Sequence, residues 1–211
     1  MRTTSEDAQR AITEAALATF CKRGYGPATL EEIGAEVGLT RGAVLHHFHS
    51  KARLLEAVVG TWRSALSQFL MAARVDDPPT AGQRRLLLAG FTDLFFAHRG
   101  ALQLLTNDIS ARVQLGLDDQ WLMPERLINL LVGTNANQLA RVRVAAALGA
   151  LIQPVSCVWI DPDNATTRAE LIATAVAVFR RPRSRASDTR SENGANSSMV
   201  AVAPLAQVAA R

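Results

Sequence analysis

Cysteine is nearly absent: the chain has two in 211 residues, Cys21 and Cys157. That excludes a disulfide framework and a zinc motif built on paired cysteines, and both thiols read as small buried hydrophobes rather than redox centres. No window approaches about 18 uninterrupted apolar residues, so no membrane span is expected. The start, MRTTSEDAQRAITEAALATF, carries acids where a secretory leader is basic and lacks a clean apolar stretch before a cleavage site. A cytoplasmic protein with no membrane partner is the expectation. Strand alternation is missing as well. Only Val155–Ile160 looks extended, and because a lone strand has no partner it reads as irregular packing or a short helical turn. A cluster of acids, bases and nucleophiles is also lacking. The one polar cluster, His46, His47 and His49, has adjacent histidines that cannot share a helical face, and neither His46 nor His47 has a carboxylate at i+4. No catalytic residue, metal site or cofactor is expected, and an enzyme is disfavoured.

Net positive charge is missing where it would matter for a nucleic-acid partner. Residues 1–60 hold seven Lys/Arg and seven Asp/Glu, residues 61–179 hold ten of each, and residues 180–211 hold six arginines against two acids. The formal +4 is therefore a property of the tail. Electrostatic attraction elsewhere has to come from the placement of individual charges.

What the chain does contain is TLEEIGAEVGLTRGAVLHHFHSK, residues 29–51. Thr29 and Glu32 have the spacing of a capping box, and Leu30, Ile33 and Val37 then fall on one helical face. Gly38 can take the left-handed conformation that ends a helix, Leu39 packs the corner, and Thr40 caps a second helix predicted over Arg41–His46. So short a helix has to be clamped by tertiary contacts, with Val44 and Phe48 as anchors. Arg41, Gly42, Leu45 and His46 point away from the anchors. A helix-turn-helix with a small-residue surface and an arginine at its start suits a major groove, with Gly42 and Ala43 permitting close backbone approach. Arg41 can reach a guanine edge or a phosphate; Thr29, Thr40 and Lys51 stand at helix starts, where free N–H groups favour phosphate. His46, His47 and His49 add protonatable donors on the same edge.

Helical spacing continues on both sides. Ile12, Ala15, Ala16, Thr19 and Phe20 predict a first helix closed by Gly24. A fourth helix starts near Ser50 and Lys51 and runs through Leu54, Val58, Trp62 and Phe69 without a break before Arg74, as a stiff coupler into a second domain. RVDDPPT, residues 74–80, is a loop, and Thr80 with Gln83 forms another capping box. Leu86 to Phe96 predicts a helix; Leu102 to Val113 predicts a further one ending near Gly116. Met123 to Leu148 reads as a long segment interrupted at Gly133–Gln138 by a kink or local loop, and Asn164–Phe179 is the last helix. The fold class is all-α: a small helix-turn-helix domain over residues 7–60, then a larger helical domain over 61–181. Residues 182–211 begin with a stretch almost devoid of apolar residues and read as a disordered tail. Surplus apolar surface in the second domain suits an oligomer interface or a ligand cavity. Candidate cavity residues are Trp62, Phe91, Phe95, Trp121, Met123, Asn129 and Asn137, with Thr134 beside them.

Ile12, Ala16, Phe20, Gly24, Tyr25, Thr29, Ile33, Gly34, Val37, Gly38, Leu39, Thr40, Gly42, His47, Phe48, Lys51 and Leu55, with their spacing intact, resemble the TetR/AcrR family of bacterial transcriptional regulators. The resemblance implies an N-terminal domain that binds double-stranded operator DNA and a larger helical domain that forms a homodimer and holds a small, largely apolar effector. It implies a repressor released from a palindromic operator by that effector. Carried over by position, the DNA contacts are Thr29, Thr40, Arg41, Ala43, His46, His47 and Lys51, flanked by Gly42 and Leu45. Leu45 departs from the family, which has a phosphate-contacting tyrosine there. The competing expectation is a helical binding or scaffolding protein that has lost specific DNA binding, favoured by Leu45 and by the neutral N-terminal domain.

Overall fold

Ile12, Ala16 and Phe20 recur every fourth residue and are all buried, forming the inner face of the first helix, α1 (Ser5–Arg23). In this computed structural model residues 5–117, 124–157, 160–161 and 163–179 are described. The expectations at Trp121 and Met123 and for the tail at 182–211 lie outside the described residues. Following α1 come α2 (Leu30–Glu36), α3 (Arg41–Phe48) and α4 (Lys51–Ala72). The capping signals read from the sequence all operate: Thr29, Thr40 and Ser50 accept hydrogen bonds from the third backbone N–H of α2, α3 and α4. Gly24 and Gly38 both take positive φ, as the turns after α1 and α2 require.

Two contacts set the angle between α2 and α3. The Leu39 N–H donates to the Gly34 carbonyl at 2.8 Å, and Val44 is fully buried beneath the corner. A Cβ on Gly34 would lie 2.6 Å from the Leu39 carbonyl oxygen, so only glycine lets the two helices approach this closely. α3 is longer than the sequence suggests, running through Phe48 to His49, which closes it in the left-handed conformation with φ 60°. α4 buries Leu54, Leu55, Val58, Val59, Trp62 and Leu70, and α1 packs on α2, α4 and α6 (Arg99–Asn107). The helix-turn-helix and the later helices thus share one continuous core.

The remaining helices are α5 (Ala81–Ala97), α7 (Ile109–Gln114), α8 (Glu125–Val132), α9 (Gln138–Val155) and α10 (Ala165–Ala177), with α10 packed on α9 and α5. Two sequence expectations, over 102–113 and at Val155, are corrected, while the break expected at 133–138 is present as a local loop. The helix expected from Leu102 to Val113 is two, because Asp108 is extended and its carboxylate accepts the Ala111 N–H at 3.0 Å, starting α7 afresh. The segment from Met123 to Leu148 contains α8 and the start of α9, parted where Gly133 takes φ 90° and the Thr134 N–H reaches the Asp77 carboxylate at 3.0 Å. Val155 belongs to α9, with Pro154 in the last turn, rather than to an irregular stretch. Among the described residues no strand occurs, and no helix is long and apolar enough to cross a membrane. The described residues make one compact unit.

Gly34→Ala should lower stability by about 1–3 kcal/mol, since the obstacle is backbone that no rotamer change relieves. Gly60→Ala, in the interior of α4 with nothing within 4 Å of the added methyl, should instead stabilise by up to about 1 kcal/mol. Urea denaturation of both variants checks the contrast; equal midpoints would contradict the packing argument.

Candidate nucleic-acid interface

The outward surface of α3 is built from the caps upward. Thr29 accepts from the Glu32 N–H at 3.2 Å while the Thr29 N–H donates to Glu32 Oε2 at 3.1 Å, a reciprocal capping box. Thr40 accepts from the Ala43 N–H at 3.2 Å. Each hydroxyl oxygen serves its helix and keeps its own proton to donate outward. Thr29, Thr40, Arg41, Gly42 and His46 are exposed, whereas Ala43, His47 and Lys51 are half-buried. The sequence-predicted cluster is thus brought together on α3 and at the starts of α2 and α4. Leu45 is a correction: it does not point away from the anchors but is half-buried against the core. An isobutyl side chain gains more from that apolar wall than from water.

Three cations flanking this surface are already engaged. Arg41 Nε lies 3.0 Å from Glu31 Oε1, and Arg23 pairs with Glu32. Lys51 Nζ donates to the Gly26 carbonyl at 2.8 Å and sits 4.5 Å over the Tyr25 ring. Burial lowers the Lys51 pKa, and the nearby Asp108 carboxylate offsets part of that. An ammonium has three donors, so Lys51 can keep Gly26 and still offer N–H groups outward. The rings of His46 and His47 meet edge-on at 5.6 Å, and among the described residues no group of three His, Cys, Asp or Glu is placed to hold a metal ion.

Sequence reasoning missed Asp108. Its Oδ2 accepts the Tyr25 N–H at 2.5 Å, and its Oδ1 accepts from Ser110 Oγ at 2.6 Å and from the Ala111 N–H. One carboxylate therefore ties the α6–α7 junction to the turn after α1, on which Lys51 rests. Burial pushes the Asp108 pKa up, but the hydrogen bonds from Ser110, Tyr25 and Ala111 outweigh it and hold the pKa below the ordinary carboxylate value. With a depressed folded pKa, the bridge is complete at neutral pH and is lost as pH falls through that value. The available signal was an aspartate between two apolar runs, three residues before Ala111, the spacing of a helix cap.

The expected cavity residues divide. Trp62, Phe91 and Phe95 are buried in one aromatic row, with ring centroids 5.6 Å apart for Trp62–Phe95 and 5.9 Å for Phe91–Phe95. Asn129 lines a separate cavity of about 360 Å³ with Asp77, Arg126, Leu130 and Thr134, and its Oδ1 is buried without a hydrogen-bond partner. Asn137 is exposed and caps α9, accepting from the Ala140 N–H at 2.9 Å. Cys21 is half-buried, its thiol donating to the Gly100 carbonyl at 3.4 Å; burial raises its pKa.

Residues 12–58, which contain this whole surface, match the family described as bacterial regulatory proteins, tetR family. Over this segment the chain is similar to the TetR family. It is 36% identical over 99 residues to the HTH-type transcriptional regulator TtgR of Pseudomonas putida, covering 44% of this chain and 47% of that one. It is 38% identical over 80 residues to the HTH-type transcriptional repressor BepR of Brucella suis biovar 1, covering 36% of this chain and 38% of that one. The match thus spans less than half the length of these curated relatives. Beyond it the likeness is one of fold: a TetR-family transcriptional regulator from Bordetella parapertussis 12822 superposes with a TM-score of 0.63 at 19% identity, covering 82% of this chain and 94% of that one. The TetR-type architecture, an N-terminal helix-turn-helix followed by further helices, accounts for the described residues.

Asp108→Asn should keep α7 but break the tie. Asparagine retains one carbonyl oxygen for Ala111 and sets an NH₂ donor against the Tyr25 N–H. Exchange of the Tyr25 amide should quicken by about tenfold, the low end for a hydrogen bond to a charged acceptor at a partly solvated site. An unchanged exchange rate would contradict the bridge.

Proposed function

We propose that this chain is a sequence-specific transcriptional repressor that binds double-stranded operator DNA as a homodimer and is released by a small, largely apolar effector. The observation that carries this reading is the outer face of α3: exposed Arg41, Gly42 and His46 at the start of a helix clamped from below by Val44. Such a helix enters a major groove by its N-terminal end, where small residues permit close approach. Arg41 reads a base edge; Lys51 and the hydroxyls of Thr29 and Thr40 hold phosphates, with Ala43, His46 and His47 beside them. Leu45, facing the core, supports α3 rather than donating to the backbone of DNA. The division of labour we propose assigns DNA to residues 7–60, effector and dimer contacts to residues 61–181, and neither to the tail at 182–211. It requires no catalysis and no cofactor, and the cytoplasm is where such a protein would act. Exposed Leu139 and Val142, three residues apart on α9, support a surface covered by a second copy.

A two-fold dimer would present its recognition helices about 34–36 Å apart, in successive major grooves of a palindrome. The Asp108 tie gives effector binding a route to the DNA surface, because a shift of the α6–α7 junction alters the turn under Lys51. Linkage then requires DNA and effector to weaken each other's binding equally.

Arg41→Ala should cost about 1–3 kcal/mol at one base position and relax preference there, leaving non-specific affinity in place. Lys51→Ala should weaken binding to every sequence and flatten the salt dependence by roughly one phosphate. Anisotropy titrations at several salt concentrations, on a duplex selected by the wild-type chain from a random library, separate the two. Identical losses on all sequences for both variants would contradict the assignment.

A further inference from the structure

Glu31 lies in the first turn of α2, where it favours the positive end of that helix, and its carboxylate faces the first residue of the proposed recognition helix. Both members of the Glu31–Arg41 pair are exposed, at 61% and 59%. Its neighbour Glu32 is committed to structure, closing the capping box with Thr29 and pairing with Arg23. Glu31 has no such duty: its contact is with Arg41. We infer that Glu31 is a specificity-determining residue, which holds Arg41 away from DNA phosphates on wrong sequences and yields it when a base edge offers a bidentate contact. This inference rests on the proposed role of Arg41 in DNA reading.

Magnitudes decide the competition for Arg41. An exposed ion pair is worth only about one- to fivefold in an equilibrium. A bidentate arginine contact to guanine discriminates by about five- to 150-fold. The first is comparable with a single screened phosphate contact and is overcome by the second. Arg41 is therefore shared between Glu31 and phosphate on non-specific DNA, where only phosphates compete for it, and leaves Glu31 on the operator. Residues 1–60, whose lysines and arginines are matched by as many acids, add no general attraction that would override this choice. The expected consequence is that Arg41 contributes less than one full phosphate to the salt dependence of non-specific binding.

Glu31→Gln removes the charge while leaving the Thr29–Glu32 capping box intact, so α2 should stay folded, losing only the small contribution of an acid at its positive end. The test is a double-mutant cycle of Glu31→Gln and Arg41→Ala. Each protein is titrated at several salt concentrations against two duplexes: one selected by the wild-type chain from a random library, and a scrambled control. With Arg41 present, Glu31→Gln should raise affinity for the scrambled duplex by up to about fivefold. It should steepen that duplex's log–log salt slope by up to about 0.9, one phosphate. Because the scrambled duplex gains more than the selected one, their ratio should fall. With Arg41→Ala in place, Glu31→Gln should change neither slope nor ratio. If the slope steepens equally with and without Arg41, Glu31 merely repels phosphate and the inference is overturned. It is equally overturned if slope and ratio stay unchanged with Arg41 present. A wild-type chain that selects no duplex at all overturns the DNA-binding reading itself, an outcome distinct from both.

Discussion

The close approach of α2 and α3 at Gly34 is the constraint on which the outward surface of α3 depends. α3 has only eight residues and cannot persist by its own hydrogen bonds. Its orientation is set where the Leu39 carbonyl meets the bare Cα of Gly34 and where Val44 sinks into the core shared with α1 and α4. With that face held, the opposite face has no freedom to choose its partner. Arg41, Gly42 and His46 are outward because Val44 and its neighbours are inward.

Electrostatics acts on this rigid surface by competition. A domain with no net charge has no broad field to draw it to DNA, and cations at its surface sit against internal partners: Arg41 on Glu31, Arg23 on Glu32, Lys51 on the Gly26 carbonyl and the Tyr25 ring. Each of these contacts is modest. On the proposed reading DNA displaces Glu31 from Arg41 where it offers more than a single phosphate, while Lys51 keeps Gly26 and turns its other N–H groups to a phosphate. On that reading neutrality is a means of discrimination. The Asp108 carboxylate adds a second kind of control, tying the turn beneath Lys51 to the α6–α7 junction.

The local signals in the sequence are reliable because they are short-range. Thr29, Thr40, Ser50 and Thr80 cap where their spacing says they should, and Gly24 and Gly38 turn the chain. The long-range contacts are hidden. Tyr25 and Asp108 are 83 positions apart, and no periodicity joins them. Leu45 faces outward on a helical projection yet packs on the core, because a helix resting in a corner buries more than one stripe. The break at Asp108 is masked by apolar residues on both sides of it. The aromatic residues offered as ligand contacts, Trp62, Phe91 and Phe95, form a buried row of mutually tilted rings; composition cannot distinguish a filled core from a lined cavity.

The central claim is that this surface reads sequence. The most direct measurement is the affinity of the unmodified chain for its selected duplex against a scrambled duplex of equal length, at one fixed near-physiological salt concentration. Specific recognition predicts at least about a 10³-fold difference in Kd. Equal affinities for the two duplexes would contradict the account.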